Sequence, residues 1–231
     1  MRTPALTGND TPVLKSGDPE PPALATEKAR LYSNRFCPFA ERATIYAAAK
    51  GIPGEIVNIH LRDKPDWFTA KNPMFGKVPA LELNGKMIYE SAIIAEYLDD
   101  VFPDSAILPR DPYERAQQKI KFERLGCIST ALYGFLHLPK ETPHNIREEK
   151  GRVISSAFDD AEKLLGSDAY FGGVAPGYAD WMQFPMFERC YLFAKLGVLP
   201  KEIETDSFPG AGKWPRLTRW WATCYAHPAV R

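Results

Sequence analysis

The chain predicts an α/β N-terminal domain followed by an all-α C-terminal domain, and three observations carry that prediction. Between about Lys28 and Phe102, strand-length and helix-length segments follow in the order β-α-β, loop, β-β, α. Within that span Asn84-Gly85 separates two short apolar runs, the strongest two-residue hairpin signal. Beyond a break at Pro103, Pro109 and Pro112, four segments repeat apolar residues at helical spacing, and none alternates as a strand would.

Residues 1–26 carry Pro4, Pro12, Pro19, Pro21 and Pro22 among Gly, Asp and Ser without a period of 2 or 3.6, so an extended arm is expected. A strand follows at about Lys28 to Ser33. A helix then runs from Pro38 to Lys50, with Ala40, Ala43, Ile45, Ala47 and Ala48 as its apolar surface and Gly51 at its end. Glu55 to Ile59 is a second strand, parallel to the first because the crossover passes through a helix. Trp67 and Phe68 sit in a short helical or irregular turn. Ala80 to Tyr89 is the hairpin, and a helix runs from Ser91 to Phe102.

This order, with a thiol at the start of the first helix, is that of thioredoxin-like domains. The expected organisation is therefore an arm over 1–26, a thioredoxin-like domain over 27–102, a linker over 103–112 and an all-α domain over 113–231. Helices of the last domain are expected at Tyr113 to Leu138, Asn145 to Leu165, Asp180 to Leu196 and Pro215 to Ala226.

The 231 residues are 45% hydrophobic and 25% charged, which allows one large core or two smaller ones. With 29 acidic and 29 basic residues there is no electrostatic footprint for nucleic acid and no polybasic membrane anchor. Cys37, Cys127, Cys190 and Cys224 are far apart, without C-x-x-C or H-x-x-x-H spacing, so no metal site is expected. No run approaches the ~20 apolar residues that span a bilayer, and no cleavable leader is visible, which makes the cytoplasm the expected compartment.

Chemistry concentrates in Leu31-Tyr32-Ser33-Asn34-Arg35-Phe36-Cys37-Pro38-Phe39-Ala40-Glu41-Arg42. Pro38 suits the first helical position, which places Cys37 at the N-cap. There the open backbone donors and the helix dipole stabilise a thiolate, with Arg35 and Arg42 adding positive charge. A thiol so placed has its pKa lowered from about 8.5 to between ~3.5 and 7.5. The bland alternative is a small buried hydrophobe. Glu90-Ser91 stands where a strand feeds a helix, so Ser91 and the following N–H groups can hold a carboxylate while Glu90 pairs with an ammonium group. Taken alone, Ser91 is more often an ordinary N-cap, and it can serve as both.

Cys37-Pro38-Phe39-Ala40-Glu41-Arg42, Lys64-Pro65-Asp66-Trp67-Phe68, Lys71-Asn72-Pro73, Val78-Pro79, Tyr89-Glu90-Ser91, Glu96-Tyr97-Leu98-Asp99 and Phe187-Glu188-Arg189 occur in one order along nearly the whole chain. On these motifs the chain resembles the glutathione transferases, and Leu31 to Arg42 resembles the omega class closely. The resemblance implies glutathione as co-substrate, bound through Phe39, Lys64, Val78, Pro79, Glu90 and Ser91, with Cys37 as the catalytic residue. It implies a cis Val78-Pro79 bond, which would turn the Val78 N–H and C=O toward the cysteinyl backbone of glutathione; otherwise Pro79 simply starts a strand in trans. Lys64 matches the lysine on the glycyl side, a residue otherwise solvated by default. Tyr133, Arg189 and Trp221 resemble acceptor-pocket positions, although such residues on helices are more often core packing or surface ion pairs. A homodimer and a small-molecule electrophile or disulfide substrate are implied as partners.

The activity so implied is glutathione-dependent thiol oxidoreduction through a mixed disulfide, with dehydroascorbate, glutathionylated thiols and methylated arsenic as candidate acceptors. Ala40 stands where a dithiol enzyme has its second cysteine, so the mechanism should be monothiol. Two alternatives compete: glutathione conjugation activated by the Tyr32 or Ser33 hydroxyl, and a glutathione-fold binding or channel-like protein. Three departures from the family pattern stand out. Asn34 replaces an expected methionine, the loop Asn72 to Lys77 is one residue longer, and Gly177 replaces a capping serine or threonine before Asp180.

Overall fold

A computed structural model of the chain describes residues 6–8, 10–26, 28–72 and 75–230. Pro4 of the arm, Glu27, and Pro73 and Met74 of the longer loop lie outside the described residues, as does Arg231. The chain divides into two compact units, Met1–Leu108 and Pro109–Arg231.

The first unit contains β1 (Ala29–Ser33), α1 (Pro38–Lys50), β2 (Gly54–Asn58), α2 (Asp66–Lys71), β3 (Ala80–Leu83), β4 (Lys86–Tyr89) and α3 (Ser91–Val101). The sheet order is β2-β1-β3-β4, with β1 parallel to β2 and antiparallel to β3, and β3 antiparallel to β4. This is the thioredoxin-like arrangement. Asn84 (φ 50) and Gly85 (φ 71) make the primed turn that matches the twist of the hairpin.

Because side chains alternate along a strand, buried β1 feeds two cores. Ala29 and Leu31 pack with Ala43 and Ala47 of α1 and with Ile94 and Leu98 of α3. Tyr32 packs on the opposite face with Val57, Ile59, Phe68 and Ala80. The small alanines let α1 lie close to the sheet, and that closeness fixes its N-terminus next to the end of β1. Trp67 and Phe68, expected in a short helical or irregular turn, belong to the six-residue helix α2.

The described part of the arm has no helix or regular strand and is tied down. Thr7 and Leu14 form parallel bridges with Glu55 and Ile59. Trp67 Nε1 donates to the Asp18 carbonyl at 2.9 Å, and Lys71 Nζ meets Glu20 at 2.8 Å.

One buried polar network closes the unit. Lys50 Nζ donates to Asp99 (2.7 Å) and to the carbonyls of Phe102 (3.1 Å) and Ser105 (2.9 Å). Asp99 also accepts from the Tyr46 hydroxyl (2.7 Å) and from the N–H groups of Ile107 (3.1 Å) and Leu108 (2.8 Å). The expected linker over 103–112 is thereby divided. Its first part, including a 3-10 turn at Pro103–Ser105, is held in the first unit by Lys50 and Asp99.

The second unit is all-α: α4 (Pro112–Leu136), α5 (His144–Leu165), α6 (Tyr178–Lys195) and α7 (Pro215–Tyr225). Asp111 caps α4, accepting from the N–H groups of Tyr113 and Glu114 at 3.0 Å each. Phe158, Phe187, Trp214 and Trp220 form the centre of the core. Asp180 is fully buried and accepts from the N–H groups of Phe171 (2.9 Å), Gly172 (2.8 Å) and Gly177 (2.8 Å) and from Trp220 Nε1 (2.7 Å). Burial pushes this carboxyl up, and the four donors pull it back.

Gly177 supplies no hydroxyl to the cap, and the reason is space. A Cβ there would lie 2.9 Å from both Gln118 Oε1 and the Gly172 Cα, so serine or threonine does not fit. A second cis peptide, Phe208-Pro209, had no sequence signal beyond its proline. Among the described residues no helix is long and apolar enough to cross a membrane.

Candidate active site

Cys37 is the N-cap of α1 (φ −92, ψ 108), Pro38 follows as the first helical residue, and no side chain caps the helix. The loop that delivers it is held by Asn34. Its Nδ2 donates to the Ile59 carbonyl (2.9 Å), its Oδ1 accepts from the Phe36 N–H (3.0 Å), and its carbonyl accepts from the Cys37 N–H (2.9 Å). Asn34, which stands where a methionine was expected, is 6% exposed and builds the turn beneath the thiol.

Arg35 and Arg42 are engaged by other groups. Arg35 donates to the Thr11 carbonyl at 2.8 Å, and Arg42 is buried with its guanidinium 5.1 Å from the Phe39 ring centre. The positive environment of Cys37 therefore owes more to the helix end than to free cationic heads.

Cys37 Sγ lies 3.9 Å from the Val78 carbonyl oxygen. The Val78-Pro79 bond is cis, as the resemblance implied, and leads into β3. Asn72, fully buried, closes the base of the longer loop by donating to the Lys77 carbonyl at 2.7 Å. At the other end of β4, Glu90 takes φ 71, ψ 120 and is itself the N-cap of α3, so Ser91 is the first helical residue and not the cap. That places the Ser91 side chain, 7% exposed, at the positive end of α3.

A pocket of about 280 Å³ is lined by Phe39, Lys77, Val78, Pro79, Tyr89, Glu90 and Ser91. Its size is near the lower end for small-molecule sites. Five of the six expected glutathione residues thus meet at one pocket. Lys77 and Tyr89 were missed, although each adjoins an expected residue in the chain. Lys64 does not line the pocket. Its ammonium donates to the Phe75 carbonyl at 3.2 Å, on the loop that leads to Val78.

Tyr32 is fully buried, and its hydroxyl donates to Glu82 at 2.7 Å beside Lys71, which approaches Glu82 at 3.0 Å. Burial and the Glu82 contact push the phenol up. Ser33 is also buried. Neither hydroxyl has the exposed setting that thiol activation needs.

In the second unit, Trp221 is 7% exposed and stacks on Phe184 (5.0 Å) and Tyr225 (5.1 Å). Arg189 is buried and paired with Glu188, and the Tyr133 ring lies 5.9 Å from that of His137. For Trp221 and Arg189 these are the core-packing and ion-pair roles that competed with an acceptor pocket in the sequence.

Burial pushes the thiols of Cys190 and Cys224 far up, and desolvation with the Asp160 charge pushes Cys127 up. Alkylation by iodoacetamide at mildly acidic pH, read by peptide mapping, is expected to mark Cys37 first. Prior labelling of any other cysteine would refute that order.

Comparison with known proteins agrees with this geometry. A model of the glutathione S-transferase N-terminal domain matches residues 36–101. A protein named probable glutathione transferase omega-2 of Caenorhabditis briggsae is 44% identical over 230 residues, covering 98% of this chain and 88% of the relative. Glutathione transferase omega-1 of Caenorhabditis elegans is 42% identical over 227 residues, with the same 98% and 88% coverage. The crystal structure of rice GST1 in complex with glutathione superposes with a TM-score of 0.75 at 26% identity, covering 89% of this chain and 90% of that one. With an N-cap cysteine, a cis proline at the third strand and relatives matched over nearly its full length, the chain belongs to the omega class of the glutathione transferases.

Proposed function

We propose that the protein is a glutathione-dependent thiol oxidoreductase that works through Cys37 alone. The observation that carries this reading is the uncapped N-terminus of α1, with Cys37 as N-cap, its sulfur beside Val78, and Ala40 three residues on. The helix end presents open backbone N–H groups beside the sulfur, and the sequence places no resolving thiol one helical turn away.

In the first half-reaction the Cys37 thiolate attacks the glutathionyl sulfur of a mixed disulfide. A Cys37–glutathione S–S bond forms as the substrate S–S bond breaks, and the substrate leaves as a thiolate that takes up a proton. A second glutathione thiolate then attacks the glutathionyl sulfur on Cys37, releasing oxidised glutathione and restoring the Cys37 thiolate. For the mixed disulfide one glutathione thiol is consumed, and the substrate disulfide and that glutathione become the substrate thiol and oxidised glutathione. Dehydroascorbate and methylated arsenic acceptors carry no glutathionyl sulfur, so there two glutathione thiols supply the two electrons and two protons and leave as one disulfide.

In the bound tripeptide, Val78 pairs with the cysteinyl backbone, Ser91 and the α3 N-terminus take the γ-glutamyl carboxylate, and Glu90 faces its ammonium group. Lys64 meets the glycyl carboxylate, and Phe39 and Pro79 supply apolar contact. The rice relative solved with glutathione supports glutathione as the ligand. The second substrate is a small disulfide or electrophile, and the working state is a homodimer in the cytoplasm. Conjugation through a hydroxyl is the weaker reading, since Tyr32 is spent on Glu82.

Turnover of a small glutathione mixed disulfide by the purified chain tests the proposal. A binding module would show none. Wild-type protein treated with oxidised glutathione should carry one adduct, on Cys37, by mass spectrometry. An adduct chiefly on another cysteine would overturn the mechanism. Glu90→Ala and Ser91→Ala are expected to weaken glutathione binding by ~2 kcal/mol, about 30-fold in Kd, because each removes a partner of a charged group. Unchanged calorimetric affinity in both variants would reverse the assigned orientation of the tripeptide.

A further inference from the structure

The second unit holds a cavity of its own, of about 630 Å³, that no step above uses. It lies between the end of α4, the first turns of α5 and the segment that follows α6. Its size falls within the range of small-molecule sites.

The floor is apolar. Phe135 is 3% exposed and Leu199 is 6% exposed, while Val198 leaves 42% of its surface open. Gly151 sets how closely the last segment approaches: a Cβ there would stand 2.5 Å from Pro200 Cγ and 3.7 Å from Phe135 Cε2. The glycine therefore lets Pro200 seat on α5, closing the floor without filling the cavity.

The rim is cationic. Arg147 lies with its guanidinium 5.8 Å from the Phe135 ring centre and is steadied by donating to the Pro139 carbonyl at 3.1 Å. Arg152 and Lys201 also line the cavity, and neither enters an ion pair among the described residues. The two lining carboxylates have partners: Glu148 meets His144 Nε2 at 3.2 Å, and Glu202 accepts from the Ser155 hydroxyl. The adjoining start of α5 has no side-chain cap and no acidic residue in its first turn, which leaves the positive end of the helix uncompensated.

We propose that this cavity binds a small organic anion, with a ring-sized apolar body on Phe135, Leu199 and Val198 and a carboxylate taken by Arg147, Arg152 and Lys201. A guanidinium plane matches a carboxylate bidentately, and stacking on Phe135 presents that plane with little further ordering cost. The site rests only on residues of the second unit and stands independently of the thiol chemistry.

The test is calorimetric titration of the full chain, saturated with glutathione, using 2-naphthoate and its neutral counterpart 2-naphthamide. One naphthoate per chain is expected, bound about tenfold or more tightly than the amide, as a charge-assisted contact implies. Reversing the exposed charges together, Arg152→Glu with Lys201→Glu, should weaken naphthoate about tenfold or more without moving the urea midpoint by more than a surface change does. Val198→Trp, which fills the apolar side, should have the same effect on binding. Equal affinity for the amide, no binding of either probe, binding seen only without glutathione, or unchanged affinity in the charge-reversed and Val198→Trp variants would each overturn the proposal.

Discussion

Cys37→Ala is expected to remove glutathione-dependent disulfide reduction, by on the order of 10³-fold or more in kcat/KM, while glutathione still binds. The covalent intermediate needs a sulfur at residue 37, and no second cysteine stands near in the sequence to replace it. Binding should survive because the groups proposed to hold the tripeptide are on Val78, Glu90 and Ser91. Tyr32→Phe is the matched control. It removes a hydroxyl that donates to Glu82 and should leave most of the turnover, at a modest cost in stability from the lost hydrogen bond. The alanine variant can also reveal weak conjugating activity, since the glutathione thiol would then sit free at the α1 N-terminus and be held there as thiolate. Steady-state turnover and calorimetry on the two variants decide the matter. Persistent reduction by Cys37→Ala, or its loss in well-folded Tyr32→Phe, would promote hydroxyl activation over the monothiol route.

The largest effect on stability is expected for Asp99→Ala, at ~3–5 kcal/mol. The side chains of Lys50 and Asp99 are 0% and 1% exposed, so removing the carboxylate strands an ammonium group in the interior. Two backbone N–H groups and the Tyr46 hydroxyl lose their acceptor at the same time. Asp99→Asn should cost less, because an amide oxygen still accepts one or two of those donors. Urea denaturation gives the comparison, read as a fall in midpoint at constant slope. A loss below ~1 kcal/mol in the alanine variant would mean that water or a rearranged partner reaches Lys50.

The parts of this fold that were legible in the sequence are those set by local chemistry. Helix α1 has its expected limits because Pro38 opens it and Gly51 closes it, and the hairpin stands where Asn84-Gly85 demands a primed turn. The four C-terminal helices lie within two residues of their expected ends, since each writes its buried stripe into the spacing of its apolar residues. What was hidden depends on distant partners. The division of 103–112 follows from Asp99 reaching the N–H groups of Ile107 and Leu108, a contact without local periodicity. Asn34 showed in the sequence only as a departure from an expected methionine, because its role comes from an amide that bridges to Ile59 twenty-five residues on. Lys77 and Tyr89 enter the pocket because the backbone turns on either side of them, at Val78-Pro79 and at Glu90, and composition says nothing of that.

The two bridges made by the arm have a consequence for solubility. In the order β2-β1-β3-β4, β2 is an outermost strand, and Thr7 and Leu14 occupy part of the side that β1 leaves open. A chain shortened to start at β1 would bare that side along Glu55, Ile56, Val57, Asn58 and Ile59, a run rich in β-branched apolar residues. Unpaired N–H and C=O groups on such a run are a template for another chain's strand. The proline-rich arm thus acts as a built-in guard against edge-to-edge aggregation, a duty separate from anything that happens at Cys37.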